Sequence, residues 1–291
     1  MSGSATGEQS SRNRAWSGAA GCLLALLLAC LPRLAGAQDP DEKHTAYVPA
    51  MWHKTQVWDY FRRAPQFGWS FDFVLRTQGE FDNHNPFQHR LRESYRPWLV
   101  WQIDPLNKLS FAPLSYHIDH GIRWNERSRG GQVRQEVRTT VEFDSSVFLH
   151  KRVMFSHRYR YEWRLVMGGG WTDPNYFHRL RLRPRIRVSL NNKSFFDRNV
   201  VYAFGYNEVA VHFGKGSPWA FNQNRIFGGL GIRILYFTRL ELGYVNQWRG
   251  GAGVPHYHSN HGPMTYIMVD YLTAEIEEFR QRRGRKRRRR R

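Results

Sequence analysis

"FHRLRLRPRIRVSL", residues 177–190, sets Arg179, Arg181, Arg183, Arg185 and Arg187 against Leu180, Leu182, Pro184, Ile186 and Val188. A repeat of two is the geometry of a β-strand, where successive side chains point to opposite faces. A helix would smear the same charges around its whole circumference. The stretch therefore reads as a strand with one cationic and one apolar face, and the open question is which face meets water.

Working outward, nine further segments repeat the pattern: 69–76, 87–101, 108–118, 132–143, 152–165, 200–213, 225–234, 238–248 and 264–271. In 152–165, Arg158, Arg160, Glu162 and Arg164 oppose Tyr159, Tyr161, Trp163 and Leu165. Residues 53–63, "HKTQVWDYFRR", leave room for another strand or a short plug, so the expected count is ten to twelve. Each segment is about the length a tilted strand needs to cross a bilayer, roughly 9–11 residues.

The connections alternate in character. "DPLNK", "FDSSVFLHK", "NNKSFFDR" and "LYFT" are short, whereas "GEFDNHNP", "DHGIRWNERSRGG", "GGGWTDPN", "GKGSPWAFNQ" and "GGAGVPHYHSNHG" are longer, polar or Gly-rich. Short turns at one end and long loops at the other suit an all-β, up-and-down antiparallel transmembrane barrel. An even strand count would return both chain ends to the short-turn side.

The first 37 residues read as an export signal. Arg12 and Arg14 precede the apolar "GAAGCLLALLLACL", and Ala35-Gly36-Ala37 forms a cleavage site before Gln38. A lipoprotein reading, with Cys30 of "LLAC" acylated, competes with it. Cys22 and Cys30 both lie inside this segment, so neither a disulfide nor a thiolate metal site is expected beyond it. The expected organisation is a signal peptide (1–37), an N-terminal segment (38–54), a barrel (55–274) and a basic tail (275–291).

The formal charge of +20 is concentrated in that tail: ten of the residues from Arg280 to Arg291 are Arg or Lys, and without them it falls to +10. Such a run is too charged to fold alone. For an exported chain, anionic lipid or plain solvation suits the tail better than nucleic acid.

Three features favour a barrel with charge inside and apolar residues outside: the export signal, the loop asymmetry, and aromatics near strand ends (Tyr95, Trp98, Trp101, Trp163, Tyr176, Tyr244, Trp248). The charged face also carries both signs. A lumen network of Arg158, Arg160, Arg164, Arg179, Arg181, Arg183 and Arg185 with Glu136, Glu162, Glu208 and Glu241 is the candidate constellation, because forked guanidinium–carboxylate pairing satisfies both groups. With about ten strands the lumen is nearly filled by its own side chains, so a wall is favoured over an anion path.

Smaller candidates remain. Asn222, Gln223, Asn224 and Arg225 stand at what reads as a loop-to-strand entry and could bind a sugar or other polar ligand, although turn formation explains them equally well. His256, His258 and His261 fall in a long loop at a spacing imidazoles could use for a metal, yet no carboxylate joins them, and no metal or other cofactor is expected. Nucleophile-elbow, zinc-protease, phosphate-loop and dinucleotide motifs are missing, and the adjacent Ser156 and His157 point to opposite faces, so no enzyme is expected.

The runs "HRLRLRPRIRVSL", "YNEVAVHF", "FNQNRIFGGLGIRI" and "LELGYVNQW" resemble a family of bacterial outer-membrane β-barrel proteins defined only as a domain of unknown function. The likeness spans about Thr55 to Leu272 and rests on Arg179, Arg181, Glu208, Gln223, Asn224, Arg225, Glu241, Gly243 and Tyr244. It departs at Asn222, where the family more often has Asp, and in the Arg-rich extension after Tyr271. The resemblance implies fold and location but no activity. The expectation is an outer-membrane barrel, structural, ligand-binding or passing a narrow solute, with outer-membrane lipid and barrel-assembly machinery as partners. The rivals are a secreted soluble barrel for an acidic or lipidic ligand and a barrel-type lipid hydrolase.

Overall fold

The computed structural model describes residues 45–79, 84–121, 133–168, 174–192, 195, 199–214, 217–235, 237–250, 257–274 and 276. The export signal, the basic tail apart from Ile276, and His256 lie outside the described residues. Eleven strands follow one another in chain order: β1 (Thr45–Phe61), β2 (Ala64–Gln78), β3 (His89–Gln102), β4 (Asn107–Asp119), β5 (Arg134–His150), β6 (Val153–Gly168), β7 (Pro174–Ser189), β8 (Val201–Gly214), β9 (Ser217–Arg233), β10 (Thr238–Arg249) and β11 (Tyr257–Asp270). Each pairs antiparallel with its neighbour, and β1 closes the barrel against β11. Among the described residues no helix is long and apolar enough to cross a membrane.

The count falls within the expected ten to twelve, but it is not even. Eleven is odd, so the closing pair β1–β11 runs parallel, from Thr45 opposite Tyr257 to Trp58 opposite Asp270. The start of β1 and the end of β11 therefore lie at opposite ends of the barrel, not on one side as an even count would place them. Side chains reinforce this seam. Lys54 Nζ donates to Tyr266 Oη at 2.7 Å, and Trp58 Nε1 donates to Asp270 Oδ1 at 2.9 Å. Asn260 Nδ2 donates to Gln78 Oε1 at 2.7 Å. The seam is also where glycine is required. Gly262 has φ +154°, and a Cβ there would stand 1.9 Å from the carbonyl oxygen of Ala50.

Three local readings change as well. β1 starts at Thr45, so the barrel begins ten residues before the expected boundary at Thr55. "GKGSPWAFNQ" is mostly strand, since β9 opens at Ser217 and only residues 215–216 link it to β8. Likewise "HYHSNH" runs into β11, which begins at Tyr257. Turn chemistry explains a connection the sequence did mark. In residues 103–106, Asp104 Oδ1 accepts from the Leu106 and Asn107 amides at 2.8 and 3.0 Å, and Oδ2 accepts from Asn107 Nδ2 at 2.7 Å. Those bonds hold the Asp104 carboxyl below its usual pKa, Asn107 contributing most.

The two faces separate sharply. Arg179, Arg181, Arg185 and Ser189 of β7 are buried while Leu180 and Ile186 between them are exposed. Around the barrel, Leu99, Phe111, Val141, Ile226, Leu230 and Leu242 continue the exposed apolar face. Some exposed aromatics lie toward its two ends, Phe61, Phe67 and Trp101 near the β1–β2 and β3–β4 turns and Trp163 and Tyr176 near the β6–β7 connection, whereas Phe71, Tyr159, Tyr161 and Tyr244 sit nearer mid-strand. Trp98 is an exception to the expected girdle. It shares the parity of Arg96, points inward, and its Nε1 donates to Asp72 Oδ2 at 3.2 Å.

Candidate functional site

Alternation on every strand delivers a long-range charge network to the interior. Glu136 lies at one centre, where Arg138 forks onto it with Nε and Nη2 at 2.7 and 2.6 Å, and Arg164 adds a further bond. Glu162, only 1% exposed, pairs with Arg179 and also lies 3.4 Å from Arg181, 3.6 Å from Arg160 and 3.8 Å from Arg138. Glu208 meets Arg158 at 2.8 Å, Arg181 at 3.1 Å and Arg225 at 3.3 Å. Glu241 takes Arg185 and accepts from the Tyr202 hydroxyl at 2.7 Å. Glu142 holds Arg158 and Arg160 together.

Gly231 is what lets Tyr202 reach Glu241. The two residues face each other across β8 and β9, and a Cβ on Gly231 would sit 2.3 Å from the tyrosine ring.

Not every arginine has a carboxylate. Arg183 stacks over Tyr206 at 5.2 Å and Arg187 over Phe195 at 6.0 Å, and neither makes an ion pair among the described residues. Cation–π contact in a desolvated site offsets part of the burial cost of a guanidinium.

Sequence reasoning missed two parts of this interior. Asp72, bridged to Lys54 and Arg96 at 3.2 Å each, and the Arg92–Asp119 pair extend the network onto β1 to β4. An apolar cluster then fills one side of the lumen, where Trp52, Met154, Phe195, Tyr202, Phe204, Phe227 and Val245 are all buried. Parity was the available signal: Phe204 is in step with Glu208, and Phe227 with Arg225. Phe195 carried none, because it enters from the connection between β7 and β8.

The amide group behaves differently from the expectation. Asn222, Gln223, Asn224 and Arg225 lie within β9, not at its entry. Gln223 and Arg225 are buried, and Gln223 accepts from Gln247 Nε2 at 2.7 Å. Asn222 bonds His212 at 3.1 Å and accepts from Arg179 at 3.4 Å. Asn224, between two inward residues, stands on the other face. The four do not converge on one ligand. His261 hydrogen-bonds the Tyr244 hydroxyl, and among the described residues no cluster of three or more potential ligands could hold a metal.

Cavities among the described residues between these walls include one of about 80 Å³ at mid-lumen and one of about 60 Å³ bordered by Trp58, Trp98, Glu142 and Asp270. A closed up-and-down barrel with an ionic interior and an apolar exterior is the class that this geometry defines. Within that class, the chain belongs to the family described as protein of unknown function (DUF2490), whose pattern matches residues 50–255. No curated protein and no solved structure matches the chain.

Proposed function

We propose that this barrel spans a bacterial outer membrane with lipid against its apolar face, and that its role there is structural or ligand-holding, not conducting. One observation carries the reading: the faces are inverted, with paired charges buried and Leu, Ile, Val and aromatic side chains outside. In water a continuous apolar belt of that kind is an aggregation liability, because soluble monomers rarely expose apolar patches beyond a few hundred Å². Lipid removes the penalty. The aromatics toward both ends suit the two interfaces, and strands of 12 to 17 residues are long enough to cross at a tilt. The export-type amino terminus supports the same location.

The non-conducting half rests on the fill of the lumen. Ion pairs link β5, β6, β7, β8 and β9 within the interior, and the mid-lumen cavity among them is only about 80 Å³. Outer-membrane lipid and barrel-assembly machinery are the partners implied. Envelope fractionation with paired boiled and unboiled gel samples tests location and closure together. A compact, fast band in the outer-membrane fraction that slows on boiling is the expected result. An unshifted band in the soluble fraction would overturn the reading.

A further inference from the structure

The mid-lumen cavity has a charge imbalance that its own carboxylates do not remove. Eleven Lys and Arg side chains line it, and the carboxylates ion-paired with those eleven number seven. Two of the seven, Glu136 and Glu162, also serve Arg164 and Arg179 outside the lining. By formal charge, the cations lining the cavity outnumber the carboxylates paired with them by four.

The excess has an address. Arg76 is 7% exposed and has no carboxylate within 4 Å among the described residues. Its contacts are a 3.4 Å bond to Gln247 Oε1 and a stack 5.9 Å over Trp52, and its Nε has no partner. Arg183 on the opposite wall is likewise unpaired, with a free Nε. His117, 1% exposed, spends Nδ1 on Ser94 at 2.7 Å and leaves Nε2 buried without a partner. Arg181 and Arg225 also line the cavity with unpartnered Nε atoms. A buried guanidinium with no anion is strongly disfavoured, and unmet buried donors add to the cost.

We infer that the cavity is a binding site for a small multivalent oxyanion of the phosphate or sulfate class. Guanidinium forks match the oxygens of such an anion, and several can share one. A cation is repelled by the lining, and a monovalent halide offers one acceptor atom and one charge where such an oxyanion offers several oxygens. Size agrees as well. A water needs about 10–15 Å³ by this measure, so a cavity of about 80 Å³ admits one tetrahedral anion with a few waters and excludes a polymer. The site lies inside the closed barrel, so the inference stands whatever solvent covers the outer face.

Thermal unfolding and calorimetric titration of the full-length barrel, purified in phosphate-free detergent buffer, test it. The probes are inorganic phosphate, sulfate, glycerol 1-phosphate and, at matched ionic strength, chloride. Phosphate or sulfate should raise the unfolding midpoint with saturation, as linkage requires, while chloride should not. Arg76→Gln and Arg183→Gln should each weaken apparent affinity by about tenfold or more. Neither variant breaks an ion pair, so stability without anion should hold or rise. If one fails to fold, the other carries the test. Tighter binding of glycerol phosphate than of phosphate would mark a phosphate ester as the ligand, and the reverse a free anion; either supports the site. Equal responses to chloride and phosphate, or wild-type affinity in both variants, would overturn it.

Discussion

Glu208 carries more of the interior than any solvent-facing charge can. It is 2% exposed and is shared by Arg158, Arg181 and Arg225, so Glu208→Gln takes a carboxylate from three buried guanidinium groups at once and, among the described residues, leaves Arg225 with none. Removing one partner of a buried ion pair typically costs about 3–5 kcal/mol, and we expect a loss of at least that size in denaturant unfolding of the detergent-folded protein. The Arg90–Glu93 pair makes the contrast. Arg90's side chain is 71% exposed, and Arg90→Ala should move stability by no more than about 1 kcal/mol. A small loss for both would mean that water screens the lumen far more than its burial implies.

At the level of the strand, closure depends on the parallel pair. Thr55 and Ile267 are partners across β1 and β11, and adjacent strands stand close enough for a disulfide. Oxidised Thr55→Cys/Ile267→Cys should therefore form an internal crosslink in high yield, visible as a reduction-sensitive change in the mobility of boiled samples. A pair offset by several residues should not. Gly262→Ala attacks the same seam from inside, since the added methyl would collide with the Ala50 carbonyl. The expected outcome is a destabilisation of more than about 2 kcal/mol or loss of the compact band. Tolerance of alanine would mean that β11 can slide past β1.

Over the whole molecule, the outward face decides which solvent the barrel was built for. Leu230 is 56% exposed on that face. Leu230→Arg should cost about 2–4 kcal/mol if the site is in the bilayer midplane, and within about 0.5 kcal/mol if it meets water. Lipid-phase labelling gives a second reading: cysteine at position 182 should react and cysteine at 181 should not. Reversed labelling would exchange the faces of every strand, because parity is shared around a closed sheet.

Much of this was legible in the chain. Alternation is a local property, so "RLRLRPRIRV" fixes two faces without reference to any other strand, and Glu136, Glu162, Glu208 and Glu241 could be assigned to the charged one. The same parity would have turned Trp98, Phe204 and Phe227 inward. Pairing was not legible. Arg158 finds Glu208 and Arg185 finds Glu241 fifty and fifty-six residues away, through strand stagger that only barrel closure sets. The odd strand number, the parallel seam at Gly262 and the position of Phe195 belong to the same kind of information. So does the surplus of cations at the mid-lumen cavity. Sequence determined which side chains face together, because period two is written residue by residue. Tertiary structure decided which charges meet and which are left without a partner, because distance across a closed lumen is a property of the whole ring.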